Sequence, residues 1–138
     1  MANKYVLDAC AITAFLNDEV GADIVQTHLE NADKGDIIVY MNKLNLFEVY
    51  YNIMRVDGEE NAEDFYRMML QLPIEIINGI SDDVLREAGR IKAKYKMSLA
   101  DSIALGEASV LGASILTSDH HEFDIVEKNT NIRFTWIR

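Results

Sequence analysis

Four carboxylates stand where an α/β chain would gather them. Asp8 directly follows the apolar run Tyr5 to Leu7, and Asp119 directly follows Ser114 to Ser118. Glu48 is wedged between Phe47 and Val49 in an otherwise apolar segment, and Asp101 lies three residues after Ser98. Each has an ordinary reading. The Ser98 to Asp101 spacing is that of a capping box, and an acid in a first helical turn is stabilised by the helix dipole by ~0.3 to 1 kcal/mol. Asp8 and Asp119, taken singly, read as turn acids. Glu48 is harder to dismiss, because an unpaired carboxylate in apolar surroundings costs several kcal/mol and needs a cation or hydrogen bonds. Four acids on one rim, with no Lys or Arg close by in the sequence, repel one another unless a metal neutralises them. A small set of hard oxygen ligands suits Mg²⁺ or Mn²⁺. The corresponding chemistry is phosphodiester hydrolysis, in which the ion acidifies a water, orients it and screens phosphate charge. No side chain in the set is an evident general base.

The elements that must position these acids follow from the pattern of apolar residues. Short β-branched runs at Tyr5 to Leu7, Ile37 to Met41, Ile74 to Ile77, Ser114 to Thr117 and Arg133 to Ile137 alternate with helical patterns, the signature of a mostly parallel sheet. In such sheets ligands bind beyond the carboxyl ends of the strands, which is where Asp8 and Asp119 fall. Helices are predicted over Ala9 to Leu16 and from an Asp18 cap to near Gly35, the latter carrying Val20, Ile24, His28 and Leu29 inward. Asn42 or Asn45 caps a helix running through Arg55 to the stop at Asp57-Gly58, and Glu59 to Leu70 ends before Pro73. Within Ser81 to Lys96, Val84, Ala88, Ile91 and Tyr95 form one stripe, and Leu99 to Leu111 is capped by Ser98 and closed by Gly112. His120 and His121 are placed in the rim loop after Asp119. Neighbouring positions on a helix point ~100° apart, so such a pair seldom shares one metal.

Composition narrows the class. The chain has 138 residues, 49% of them apolar, with 7 Gly and 1 Pro, which predicts one domain over residues 1 to 138 with a substantial core. The formal charge of −10 repels nucleic acid and anionic lipid at long range, so a polyanion must be captured locally. Arg86, Arg90, Lys92, Lys94 and Lys96 form the basic cluster, read either as a solvated helix face or as a contact for RNA backbone or a protein partner. The helically spaced Tyr50, Tyr51, Phe65, Tyr66, Met68 and Met69 read as core or dimer surface more readily than as RNA-stacking groups. A single Cys10 makes neither an internal disulfide nor a multi-cysteine zinc site, and Ala9 to Leu16 is a poor signal peptide after Asp8, so the cytoplasm is the expected compartment.

The segments YVLDACAITAFLND, LNLFEVYYNI and MSLADSIALGEASVLGASILTSDHHEF resemble the successive motifs of the PIN-domain family along essentially the whole chain, with Thr117 and Phe123 flanking Asp119. The resemblance implies a three-layer α/β/α sandwich with a mostly parallel central sheet and a Mg²⁺- or Mn²⁺-dependent ribonuclease. It places the catalytic and metal-holding roles on Asp8, Glu48, Asp101 and Asp119. It also implies a VapC-like toxin of a toxin-antitoxin pair: a homodimer, silenced by a cognate antitoxin, cutting RNA to 5′-phosphate and 3′-hydroxyl ends. Cys10 departs from the Ser or Thr of many members, and a charge of −10 is unusual for an RNA enzyme. A haloacid-dehalogenase-like phosphatase requires an Asp where Cys10 stands, and a receiver domain requires a phosphoacceptor Asp where Asn78-Gly79 stands. The surviving alternative is a PIN-like protein that binds RNA or a partner without cutting.

Overall fold

The computed structural model describes residues 3 to 138. Its elements are β1 (Lys4–Leu7), α1 (Ala9–Leu16), α2 (Ala22–Asp33), β2 (Ile38–Asn42), α3 (Lys43–Asp57), α4 (Glu59–Gln71), β3 (Glu75–Ile77), α5 (Asp82–Lys94), α6 (Leu99–Leu111), β4 (Ser114–Thr117), α7 (His120–Asn129) and β5 (Arg133–Trp136). The five strands pair in the order β3-β2-β1-β4-β5, and every pairing is parallel.

Alternation along the central strands creates two cores. Leu7 and Leu116 face one side, where they meet Ile12 of α1, Val25 of α2, Leu46 and Val49 of α3 and Phe65 and Met69 of α4. Val6 and Ile115 face the other, against Ile91 of α5, Leu105 and Ala108 of α6 and Phe123 and Val126 of α7. The result is the expected α/β/α sandwich. Because the chain moves from β1 to β2 on one side and later to β4 on the other, the strand order reverses between β1 and β4. That switch point is where an open α/β sheet forms its ligand crevice.

Two local expectations are corrected. Asp18 does not cap the second helix: it occupies a turn with φ 51°, Gly21 at φ 101° becomes the cap, and Val20 is 73% exposed. The left-handed turn rotates the helix start three residues onward and leaves Val20 outside the buried stripe of Ala22, Val25 and Leu29. His120 and His121 are not in a loop but open α7, because the Asp119 carboxylate accepts the Glu122 N–H at 3.1 Å and caps a helix there. Other caps match the sequence reading: Asn42 opens α3, Ser98 opens α6, and Gly112 closes α6 in the left-handed conformation. Among the described residues, no helix is long and apolar enough to cross a membrane.

Candidate metal centre

The four acids come from four different elements and share the carboxyl-end rim of the sheet. Asp8 leaves β1 and caps α1, Asp119 leaves β4 and caps α7, Asp101 sits in the first turn of α6, and Glu48 lies two turns into α3. Asp8 is only 1% exposed. Its Oδ1 accepts the Ala11 N–H at 2.9 Å and its Oδ2 accepts the Thr117 hydroxyl at 2.5 Å. The same Thr117 oxygen accepts the Asp119 N–H at 3.0 Å, so one hydroxyl ties the exits of the two central strands together.

Burial and neighbouring charge act together on these groups. Burial raises the Asp8 carboxyl to about 7 against the hydrogen bonds from Thr117 and Ala11, and the charges of Asp101 and Asp119 add to the rise. Asp101 is raised to about 6 by burial and by Asp119, Glu48 and Glu122, with Ser98 opposing. Glu48 is raised by burial and then by Asp119. Cys10 is exposed on one side, yet desolvation followed by the charges of Asp8, Asp119, Asp101 and Glu48 pushes its thiol up to about 12. It is therefore a neutral thiol at the edge of the site and a poor nucleophile. Among the described residues, none of the ion pairs involves any of the four acids.

The donor set fits a hard divalent cation: carboxylate oxygens, mutual repulsion and no paired Lys or Arg. The orientations are a different matter. Among the described residues, no three Asp, Glu, His or Cys side chains approach closely enough to hold one ion. The two observations are compatible, because charges perturb one another over several ångströms whereas a ligand must approach to about 2.1 Å. The carboxylates are instead turned to local donors, with Asp8 on Ala11 and Thr117, and Asp119 on Glu122. Asp8 and Asp119 thus act as helix caps, while the four acids do not close around a common point among the described residues.

Some polar residues of this end of the sheet escaped the sequence reading. Glu107, 4% exposed on α6, accepts from Asn42 Nδ2 at 2.8 Å. Asn42 also donates to the Gly79 carbonyl at 3.0 Å, while its Oδ1 accepts the Leu44 N–H at 2.9 Å and so starts the helix that carries Glu48. Asn45 is fully buried one helical turn before Glu48, with neither side-chain polar atom bonded among the described residues. An acid amid the small and apolar residues of α6 was the available signal for Glu107; its partner, 65 positions away, left none. Glu122, whose charge helps to raise the Asp101 carboxyl, is also new to the set.

The remaining candidates divide. In the basic cluster Arg86 pairs with Asp83 at 3.8 Å, Arg90 with Glu87 at 3.4 Å, and Lys92 donates to the Met97 carbonyl at 2.7 Å. His121 is 93% exposed, 3.9 Å from Glu122. Phe65 and Met69 are core, Tyr66 and Met68 pack partly against it, and Tyr50 donates to Glu63, whereas Tyr51 is exposed beside Phe47.

Residues 5 to 129 match the model of the PIN domain. No curated protein matches the sequence. Among solved structures, a DNA-bound VapBC from Salmonella typhimurium superposes with a TM-score of 0.76 at 18% identity over 100% of both chains. A VapBC complex from Rickettsia felis bound to a fragment of its promoter gives 0.74 at 15% identity, covering 96% of this chain and 98% of that one. A VapC toxin from Mycobacterium tuberculosis, described as cleaving the sarcin-ricin loop, gives 0.61 at 13% identity over 91% of this chain and 95% of its own.

Proposed function

The chain belongs to the PIN domain family, and from that premise we propose that it is a metal-dependent ribonuclease whose site is formed by Asp8, Glu48, Asp101 and Asp119. One observation carries the reading: four elements deliver acids with no ion-pair partner among the described residues to the β1/β4 switch point, where burial first and neighbouring acid charges second raise the carboxyls of Asp8, Glu48 and Asp101. Mg²⁺ or Mn²⁺ bound there would supply Lewis-acid charge to a phosphodiester and acidify water. The chain's own contribution is placement. Asp8 is fixed by the Thr117 hydroxyl, Glu48 by a helix that begins on Asn42, and Asp101 by a helix that begins on Ser98. No cationic side chain pairs with these acids among the described residues, and a phosphate therefore reaches the site only together with its counter-cation.

The kinship of fold with VapC proteins supports a finer proposal: the toxin of a toxin-antitoxin pair, a cytoplasmic homodimer held silent by a cognate antitoxin. A second reading, a PIN-like protein that binds RNA or a partner without cutting, draws on the acids being turned to their helix caps. One assay separates the two. Single-stranded RNA should be cut in Mn²⁺ or Mg²⁺ and not in chelator, with 5′-phosphate products, and Asp119→Asn should lower the rate by at least 100-fold. RNA that stays intact at every metal concentration while still binding the protein selects the non-cutting reading. Purification together with the product of a neighbouring small reading frame tests the toxin assignment.

A further inference from the structure

Beside the acidic rim the fold builds a column of aromatic rings that the proposed chemistry does not use. It is rooted in Phe123, which is fully buried, and continues through Phe134, whose ring centroid is 5.8 Å away. Trp136 lies nearly parallel to Phe134, at 5.3 Å and 12°, and His120 lies nearly parallel to Trp136, at 3.7 Å and 13°. The imidazole is held on both nitrogens: Nδ1 is 2.8 Å from Asp124 Oδ1 and Nε2 is 2.8 Å from the Arg138 carbonyl. The indole N–H donates to Glu127 at 3.2 Å. A surface side chain that needed only solvation would not be clamped in plane, yet the His120 side chain remains 48% exposed.

The column stands next to the site. Trp136 pairs with Thr117 across β4 and β5, and so sits one strand spacing, about 5 Å, from the residue whose hydroxyl joins Asp8 to Asp119. His120 is the next residue after Asp119. Its surroundings, with Asp124, Glu127 and Glu122, repel phosphate but not the neutral face of a nucleobase.

We infer that the outer face of His120 is a stacking platform for one unpaired base of the RNA, next to the phosphate held at the acidic rim. A chain of charge −10 cannot grip RNA by its overall field, and stacking binds a single strand without requiring positive charge. The platform is rigid before RNA arrives, so little ordering is lost on binding. The assignment rests on the ribonuclease reading for its ligand.

The test measures binding of fluorescein-labelled 12-nucleotide single-stranded RNAs by anisotropy, with chelator present so that nothing is cut. His120→Ala should weaken binding about 5- to 100-fold, while His120→Phe, which restores a flat ring, should stay within about threefold of wild type. Circular dichroism checks that both variants fold. A set of the same RNAs, each carrying one abasic position, should contain one member that binds wild type and His120→Phe weakly but costs His120→Ala nothing further, the coupling expected of a direct contact. Unchanged affinity in folded His120→Ala, or abasic losses identical in all three proteins, overturns the platform and leaves the ribonuclease reading standing. Failure of wild type to bind any of the RNAs in chelator also overturns the platform, because stacking needs no metal, and leaves the ribonuclease reading to the cleavage assay.

Discussion

At the residue scale, Asp8 combines almost complete burial with a charge that its neighbours oppose, and that has a consequence for stability. Its folded pKa of about 7 lies above the ordinary value of 3.8, so between these two pH values the folded chain holds a proton that the unfolded chain has released. Stability therefore falls as pH rises from about 4 to about 7, by up to roughly 4 kcal/mol from this group. Asp101, raised to about 6 and only partly buried, adds a smaller loss in the same direction. Metal-free protein should melt at a higher temperature at pH 5 than at pH 8. Asp8→Asn can keep both hydrogen bonds, since the amide oxygen accepts from Ala11 and the amide donates to Thr117, and it should flatten that difference while raising the melting temperature at pH 8. A pH-independent wild-type melting temperature would refute the buried charge. Asp8 and Asp119 were legible in the sequence because strand exits are marked by the end of an apolar run. The Asn42 to Glu107 contact and the orphaned amide of Asn45 were not, because they depend on which elements meet across the fold.

At the element scale, the strands and most helices were readable because apolar period, cap and breaker agree at each boundary, as at Ser98, Gly112 and Pro73. The start of α2 failed where a backbone conformation decided the outcome. Gly21 holds φ 101°, and a Cβ added to it would stand 2.7 Å from the Ile137 carbonyl oxygen. A side chain there is both conformationally strained and overpacked against backbone, so Gly21→Ala should destabilise by about 2 to 4 kcal/mol, read from denaturant midpoints at constant slope. A loss below about 0.5 kcal/mol would mean that the turn relaxes freely. The helix after Asp119 was missed for a different reason: Asp119 reads in sequence as a turn acid or a metal ligand, and its role as a cap accepting the Glu122 N–H was not weighed. One carboxylate can serve both purposes in sequence, and only geometry shows that it starts a helix.

At the scale of the whole molecule, an excess of acid concentrated partly at one rim would make the proposed divalent cation a structural partner as well as a chemical one. Mg²⁺ or Mn²⁺ should raise the melting temperature more than NaCl of the same ionic strength, because binding to the folded state alone stabilises by RT ln(1 + [L]/Kd). Asp8→Asn combined with Asp101→Asn should remove that specific increment and leave only the general salt effect. A shift that persists in the double variant would move the ion elsewhere. Long-range charge also bears on the basic cluster of α5, where Arg86 and Arg90 already face acids one turn away. If Arg90 and Lys94 contact RNA phosphates despite this, changing both to Gln should make the slope of log K against log salt shallower by about 1.4.

The hydroxyl contact between Thr117 and Asp8 spans 109 positions of the chain, and β1, at the middle of the sheet, has β4 as one of its two neighbours. The β1 to β4 pairing therefore closes a loop through the whole intervening chain and must overcome its entropy. On a ribosome adding about 5 to 20 residues per second, Asp8 waits roughly 5 to 20 s before Thr117 is even made. Over that interval the nascent chain gains Glu48 and then Asp101 but has no assembled rim. Under the ribonuclease proposal this topology carries a time delay: no complete site exists until synthesis has passed β4.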